Sequence, residues 1–258
     1  MFRYKEPQFE KKRLLRIEML EQLRDYPRDY LKIRYQDYSD GILCGCGICW
    51  EDGVLTVAPG IMRHGGQFYL METPYSLECR ADDRMRYVKV RFLEETREAG
   101  MLCAGTDILL EETKPDPECE TELCRFRLQK GARLRSVYEN FEDYSTQFDT
   151  VNVIHAPYAS EGEHTLHPAI LKCFARELLE HGESDAWDIS FAMHIMAGEG
   201  AVAKECICLY LKAKSGAPGD TGGNETLYRG LLNVLKNQES SGRMRGHGGC
   251  RTKQIVLL

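Results

Sequence analysis

The feature that most constrains the fold is a change of hydrophobic period along the chain. Between residues 35 and 130 the apolar residues come in short runs separated by glycine-containing turns, whereas the flanking segments repeat at helical spacing. Short runs of this kind predict antiparallel strands, and a period near 3.6 residues predicts amphipathic helices. We therefore expect an α+β protein with an N-terminal helix, a small antiparallel β sandwich or barrel, and a helical domain with a C-terminal edge strand.

These changes of period divide the 258 residues into four predicted units. Residues 1–34 form an N-terminal docking helix, and residues 35–130 form the antiparallel β domain. Residues 131–239 form the helical domain, and residues 240–258 form a flexible basic loop and a C-terminal strand. A chain of this length can bury a sizeable core without a framework of disulfide bonds.

The first helix is predicted from about Gln8 to Tyr30, with Pro27 kinking or ending it because proline lacks a backbone donor. One stripe of apolar residues recurs at spacings of four, four and three: Leu15, Met19, Leu23 and Tyr26. Other apolar residues lie off this stripe, so the helix is apolar on more than one side. A helix of this kind docks on another surface, which is either its own body or a neighbouring protein.

The strands of the β domain are predicted from alternation and turn residues. Asp52-Gly53 suits a tight hairpin turn, so the run 41–50 should pair with the run 54–58 as two strands. Residues 87–92 alternate apolar with basic residues, which is typical of a half-solvated strand. Further strands are predicted at 67–71, 108–110 and 123–128.

The second half of the chain is predicted to be helical. The predicted ranges are 168–182, 186–197, 201–211 and 225–237. Pro168 suits the first turn of its helix, and Ser184 and Asn224 are suitable N-caps for the second and fourth helices. The apolar segment Gln254–Leu258 could add an edge strand to a sheet of this chain or of a neighbour.

Charge and hydropathy exclude two classes of protein. Lysine and arginine total 34 against 40 acidic residues, a formal net charge of −6, so the surface as a whole does not suit nucleic acid and we expect no nucleic-acid partner. No apolar run approaches the roughly 18 residues of a membrane span. The first residues show no secretion signal, and several of the eleven cysteines lie in apolar runs, which favours a reducing cytoplasm.

The most concentrated group of potential metal ligands is Cys44, Cys46 and Cys49. Thiolates one or two residues apart can bind zinc or an iron–sulfur cluster together. A closed site needs a fourth ligand, however, and the sequence has no second Cys-x-x-Cys pair. Alternation along a strand also places Cys49 on the face opposite to Cys44 and Cys46. We therefore expect small residues that pack a tight strand, with no metal and no cofactor.

No other motif assigns a catalytic, cofactor-binding or metal-binding residue. His164 and His167 have metal-like spacing, but they precede Pro168 in a loop and lack the helix and glutamate of a zinc-protease motif. We expect loop histidines, one of which caps the following helix. The glycine-rich segments lack the strand–helix context of a phosphate-binding loop, and the nucleophile elbow of serine hydrolases is absent.

Turn residues between positions 38 and 69 carry a resemblance to known proteins. Tyr38-Ser-Asp-Gly-Ile-Leu-Cys-Gly-Cys46 is followed by Asp52-Gly53, Val57-Ala-Pro-Gly-Ile61 and Gly66-Gln-Phe-Tyr69. This succession of short strands and glycine-containing turns resembles small β domains of baseplate, fibre-attachment and appendage proteins in phage tails and related contractile injection systems. The order of a β module and then helices resembles short proteins of prophage-like tail clusters of Firmicutes. Some of those proteins carry the automatic label "DNA and RNA helicase", which fits badly because this chain has no Walker A motif.

The resemblance implies a non-enzymatic structural subunit from the baseplate or fibre-attachment region of a tail-like particle. Its partners would be other subunits of a symmetric complex that is assembled in the cytoplasm. Docking elements at both chain ends would bury apolar area against those neighbours. Two alternatives stay open, namely a metal-binding enzyme or redox protein that uses Cys44, Cys46 and Cys49, and a soluble adaptor that binds through its helical half.

Overall fold

The structure is a computed structural model that describes residues 1, 3–12, 14–180, 184–215 and 222–246. The helices in these residues are α1 (Ile17–Arg34), α2 (Pro168–Glu180), α3 (Ala186–Ala197), α4 (Lys204–Ser215) and α5 (Asn224–Gly246), with a short 3-10 helix at Glu142–Ser145. The strands are β1 (Gly41–Gly45), β2 (Ile48–Glu51), β3 (Val54–Val57), β4 (Gly60–His64), β5 (Gln67–Met71), β6 (Tyr75–Glu78), β7 (Met85–Phe92), β8 (Thr96–Glu98), β9 (Met101–Cys103), β10 (Thr106–Glu111) and β11 (Glu120–Arg127). The predicted α+β class, with an N-terminal helix, antiparallel sheets and then helices, is confirmed. The predicted edge strand at Gln254–Leu258 lies outside the described residues.

Small antiparallel sheets make up the β part of the molecule. The strand orders are β1-β4-β5, β2-β3-β6 and β10-β7-β11, and β8 and β9 form a separate hairpin. All these pairings are antiparallel. The pairings of β2 with β3, β4 with β5 and β8 with β9 follow from two-residue connections, since a tight turn can only reverse the chain.

The prediction of one continuous strand over residues 41–50 is wrong. The run divides into β1 and β2, which belong to different sheets. Gly45 and Cys46 have φ angles of 72° and 56°, and two successive left-handed residues turn the chain out of the first sheet. β2 does pair with β3 around the predicted turn, with Glu51 opposite Val54, whereas β1 pairs with β4.

The strand predicted at residues 87–92 is central rather than half-solvated. It belongs to β7, which lies between β10 and β11. The side chain of Lys89 is only 2% exposed, and its Nζ lies 2.7 Å from Glu120 Oε2 and 2.9 Å from Glu111 Oε2. Burial by itself raises the pKa of Glu120, but hydrogen bonds from Lys89, from the Asp116 backbone and from Arg91 lower it to about 2. The alternating pattern predicted that Lys89 would be exposed, but its ion pairs with Glu111 and Glu120 allow it to be buried.

The helical half follows the predicted order with four differences. Asn224 is the first residue of α5, and its side chain donates to the carbonyls of Ala156 and Thr165 instead of capping the helix as predicted. The N-cap of α3 is Asp185 rather than Ser184, and Asp185 and Asp188 form a reciprocal capping box. Helix α4 begins and ends later than the predicted range 201–211. Helix α5 continues to Gly246, so residues 240–246 are helical and not the predicted flexible loop.

Buried Asp188 ties three of the helices together. Its carboxylate accepts hydrogen bonds from Tyr210 Oη at 2.7 Å, Lys214 Nζ at 2.8 Å and Gln238 Nε2 at 2.8 Å. It also accepts one from the backbone of Asp185. Because these partners come from α4 and α5 as well as α3, one carboxylate fixes the position of each helix against the others.

One hydrophobic core runs through the strands and the helices. It includes buried residues of both halves: Leu55, Val88, Phe126, Phe141, Phe174 and Tyr228. The segment between β11 and α2 pairs with strands of the first half, since the backbones of Arg125 and Asn152 exchange two hydrogen bonds and the N–H of Ala159 donates to the carbonyl of Ile42. The division into units at residues 34, 130 and 239 stays a prediction.

Candidate docking surface

Helix α1 carries the most exposed apolar surface in the described part of the chain. None of its residues is buried. The exposed fractions are 52% for Leu20, 50% for Leu23, 60% for Tyr26, 60% for Tyr30 and 69% for Ile33. Half-buried Met19 continues the same face toward the N-terminus. Met19, Leu23, Tyr26, Tyr30 and Ile33 lie on one helix face, with Leu20 beside it, and an apolar face of this kind normally packs on another surface.

Charges at the ends and on the opposite face explain why these residues form a helix. Glu18 lies in the first turn, and Lys32 and Arg34 lie in the last, so each end carries the charge that complements the helix dipole. On the polar face Arg28 contacts Asp25 at 3.0 Å, one turn away. Such exposed pairs contribute only about 0.3–0.5 kcal/mol each, so they do not stabilise the helix by themselves.

The predicted bounds of this helix are wrong at both ends. It begins at Ile17 rather than near Gln8, and it ends at Arg34 rather than at Tyr30. Pro27 lies inside the helix and does not end it. A proline in this position removes the hydrogen bond to the carbonyl of Leu23. Because α1 is exposed, water can hydrate that carbonyl instead.

Aromatic contacts join α1 to the β part. The ring of Tyr35, directly after the helix, lies 5.0 Å from the ring of Tyr38 and 5.9 Å from the ring of Phe68 in β5. The guanidinium of Arg34 lies 5.3 Å from the centre of the Tyr35 ring. These contacts fix the C-terminal end of α1 on the body, while the apolar face further up the helix stays exposed.

A second exposed apolar surface lies on the outer side of α3. The inner side packs in the core through Phe191, Ala192 and Ile195. The outer side bears four large apolar residues, each between 46% and 64% exposed: Trp187, Ile189, Met193 and Met196. Sequence reasoning missed this surface because a segment that is apolar all round predicts burial on every side.

The three clustered cysteines are not brought together in one environment. Cys44 and Cys49 are exposed in different sheets, and Cys46 is buried between them in the chain. Burial raises the pKa of the Cys46 thiol to about 11, so this cysteine is a poor thiolate ligand at neutral pH. Among the residues that the structure describes, no three histidine, cysteine or acidic side chains form a group that could hold a metal ion.

The two loop histidines have different roles. Nδ1 of His167 accepts a hydrogen bond of 2.9 Å from the backbone N–H of Ala169, so His167 caps the first turn of α2 as predicted for one of them. Burial lowers the pKa of His167 to about 4, which keeps the ring neutral and able to accept. The side chain of His164 is exposed and takes no part in this cap.

No helix in the described residues is both long enough and apolar enough to cross a lipid bilayer.

Neither a protein-family model nor a curated protein sequence matches the chain. Among solved structures, the chain is similar to the protein in the crystal structure of TssK, with a TM-score of 0.43 and 12% sequence identity. The alignment covers 92% of this chain and 69% of that chain. A likeness of this extent carries no argument about function.

Proposed function

We propose that this protein is a non-enzymatic assembly subunit that acts through protein–protein contacts, in the baseplate or fibre-attachment region of a phage tail-like particle. The observation that carries the proposal is that α1 has an apolar face and no buried residue. The succession of strands and turns in residues 38–69 supports a tail-like particle as the assembly, because it resembles the small β domains of tail proteins.

The energetics of α1 support docking on a partner. Isolated helices of about 12–15 residues are marginal in water even when they are rich in alanine, and an internal proline costs about 3 kcal/mol. Helix α1 has 18 residues and contains Pro27. Burial of a large apolar side chain contributes about 1.5–3 kcal/mol, so covering even half of the α1 face would offset the cost of the proline.

Particle incorporation tests the proposal. The full chain and a variant that lacks residues 1–34 would be produced together with the sheath, tube and baseplate subunits of a tail-like particle, and the particles would be isolated by sedimentation. We expect the full chain in the particle fraction. The variant should remain folded, because α1 contributes no buried residue, and should be lost from the particles.

A matched control keeps the helix and changes only its polar face. Glu21→Gln with Arg28→Gln should leave incorporation unchanged, because both positions lie opposite the apolar stripe. Equal incorporation of the full chain and the shortened variant would contradict a role for α1. Absence of the full chain from every particle preparation would contradict the proposed function as a whole.

A further inference from the structure

The apolar face of α1 follows a heptad spacing. Its central residues are Met19, Leu23, Tyr26, Tyr30 and Ile33, separated by four, three, four and three residues. A spacing that averages 3.5 residues keeps one seam turned toward a partner helix along the whole length, which is the geometry of a coiled coil. We propose that α1 binds α1 of a second copy of this chain, in a parallel and in-register coiled coil.

The inference rests on the proposed function, in which α1 is the docking helix, and it names the partner. The spacing places Leu23 and Tyr30 at the first apolar position of the heptad, position a. Met19, Tyr26 and Ile33 then occupy the second apolar position, position d. Each of these residues lies within α1 and none of them is buried. Of the five, only Met19 is half-buried, in a cavity that it lines together with Pro7 and Leu14 of the preceding segment.

Charges beside the seam select the parallel orientation. In a parallel pair, the residue directly before an a position faces, on the partner helix, the residue five positions later. Asp29 would then face Arg34 of the second copy, so the pair would form two interhelical ion pairs of opposite charge. In an antiparallel pair, the residues directly before the a positions face one another. Asp29 would then face Gln22 in the register that sets Leu23 opposite Tyr26, or Asp29 of the second copy in the register that sets Tyr26 opposite Tyr30. Neither of these contacts is an ion pair, and the second brings like charges together.

The area available fits association of two or more helices. Eighteen residues give a helix of about 27 Å, and aromatic side chains such as Tyr26 and Tyr30 bury about 150–250 Å² each when they are covered. Leu20 lies next to the seam and is 52% exposed, so the apolar face is wider than a strict two-residue seam. The measured mass of the full chain gives the number of copies.

Mass measurement of the purified full chain tests the self-association. Light scattering after gel filtration should give a multiple of 29.5 kDa for the full chain and the mass of a single copy for the variant without residues 1–34. Leu23→Glu with Tyr30→Glu, which places charges in the seam, should weaken association about a hundredfold or more. The polar-face variant Glu21→Gln with Arg28→Gln should associate like the natural chain.

Charge variants test the parallel register. Asp29→Arg and Arg34→Asp should each weaken self-association about three- to tenfold, because each places like charges opposite one another. An equimolar mixture of the two single variants should regain association, since every mixed pair then joins opposite charges. In the antiparallel register that sets Asp29 opposite Gln22, the mixture would behave like the separate variants, and that result would overturn the parallel register.

Two outcomes separate this inference from the proposed function. A full chain that is monomeric at tens of micromolar, or an oligomer that survives both seam substitutions, overturns the self-association of α1. If α1 is still required for incorporation into particles in that case, the proposed function stands and the partner of α1 is a different subunit. If self-association is found but the chain is absent from particles, only the proposed function fails.

Discussion

At the scale of single residues, the close crossing of two backbones makes glycine necessary at position 60. A Cβ atom added to Gly60 would lie 2.5 Å from the Sγ of Cys46 and 2.7 Å from the carbonyl oxygen of Cys44. Gly60→Ala should therefore lower the free energy of unfolding by about 1–3 kcal/mol, as overpacking of a core does. Urea denaturation measures the change.

Gly200 provides the matched control for that substitution. A Cβ atom added there would have no heavy atom within 4 Å, so Gly200→Ala should leave the midpoint of the urea transition unchanged or slightly raised. Equal effects of the two substitutions would show that the crossing near Cys46 is looser than the distances indicate.

The cap of α2 predicts a dependence of stability on pH. Burial lowers the pKa of His167 from 6.5 to about 4. The unfolded chain therefore takes up a proton at a higher pH than the folded chain does. The contribution of this group is complete above pH 6.5 and is lost as the pH falls toward 4, by about 3 kcal/mol. His167→Asn should keep the acceptor for the N–H of Ala169 and flatten this part of the curve of unfolding free energy against pH.

The control for the pH effect is His194→Asn, because His194 is exposed on α3. It should leave the slope between pH 6.5 and 4 as it is in the natural chain. An unchanged slope in His167→Asn would mean that His155, whose pKa is also lowered by burial, accounts for the loss of stability.

At the scale of elements, the loss of the buried carboxylate of Asp188 should loosen three helices at once. Asp188→Ala leaves Lys214 Nζ and Tyr210 Oη without this acceptor in a partly buried site. We expect the free energy of unfolding to fall by about 3–5 kcal/mol, the usual result of removing one partner of a buried charged pair. Urea denaturation gives the value, and Glu199→Ala on the exposed loop after α3 should change it by less than about 0.5 kcal/mol. A small effect of Asp188→Ala would indicate that the helices are held by apolar packing alone.

Sequence patterns predicted most helices and strands, because these depend on interactions between residues that are near one another in the sequence. Period and turn residues predicted α2, α3 and the hairpin of β2 with β3, and these are confirmed. They failed where contacts between segments distant in the sequence determine the structure. The break after Gly45 depends on two left-handed residues crossing Pro59 and Gly60, and the burial of Lys89 depends on acids from neighbouring strands. Neither condition is visible within one segment of sequence.

The same limit applies to the candidate docking surface. Spacing alone identified the apolar stripe of α1, because amphipathicity is a local property. It did not predict whether the helix would fold back on its own body, and it ended the helix near Tyr30, with Pro27 as a kink or an end. An exposed helix tolerates that proline because solvent replaces the missing partner. The outer face of α3 was missed since only the packed fold divides an evenly apolar helix into an inner and an outer side.

At the scale of the whole molecule, the continuity of the core predicts how the body unfolds. The ring of Phe141, in the segment between the strands and α2, lies 5.5 Å from the ring of Phe174 in α2 and 4.7 Å from that of Tyr228 in α5. The side chain of Asn224 at the start of α5 donates to the carbonyls of Ala156 and Thr165 in the same segment. This segment also pairs with β1 and β11. Strands and helices therefore share one set of buried contacts, and neither half can lose its structure without exposing the core of the other.

We therefore expect a single cooperative transition for the body. In a variant that lacks residues 1–34 and carries Trp187→Phe, fluorescence of Trp50 reports on β2 and circular dichroism at 222 nm reports mainly on α2 to α5. The two urea curves should have the same midpoint within error, and their m-value should match the area of the whole body. The polar-core substitution Asp188→Ala in this background serves as the control, because it should lower both midpoints together although it lies far along the chain from Trp50. Two separate midpoints, or an Asp188→Ala effect confined to the circular dichroism, would instead establish independent β and helical domains with their boundary near residue 130.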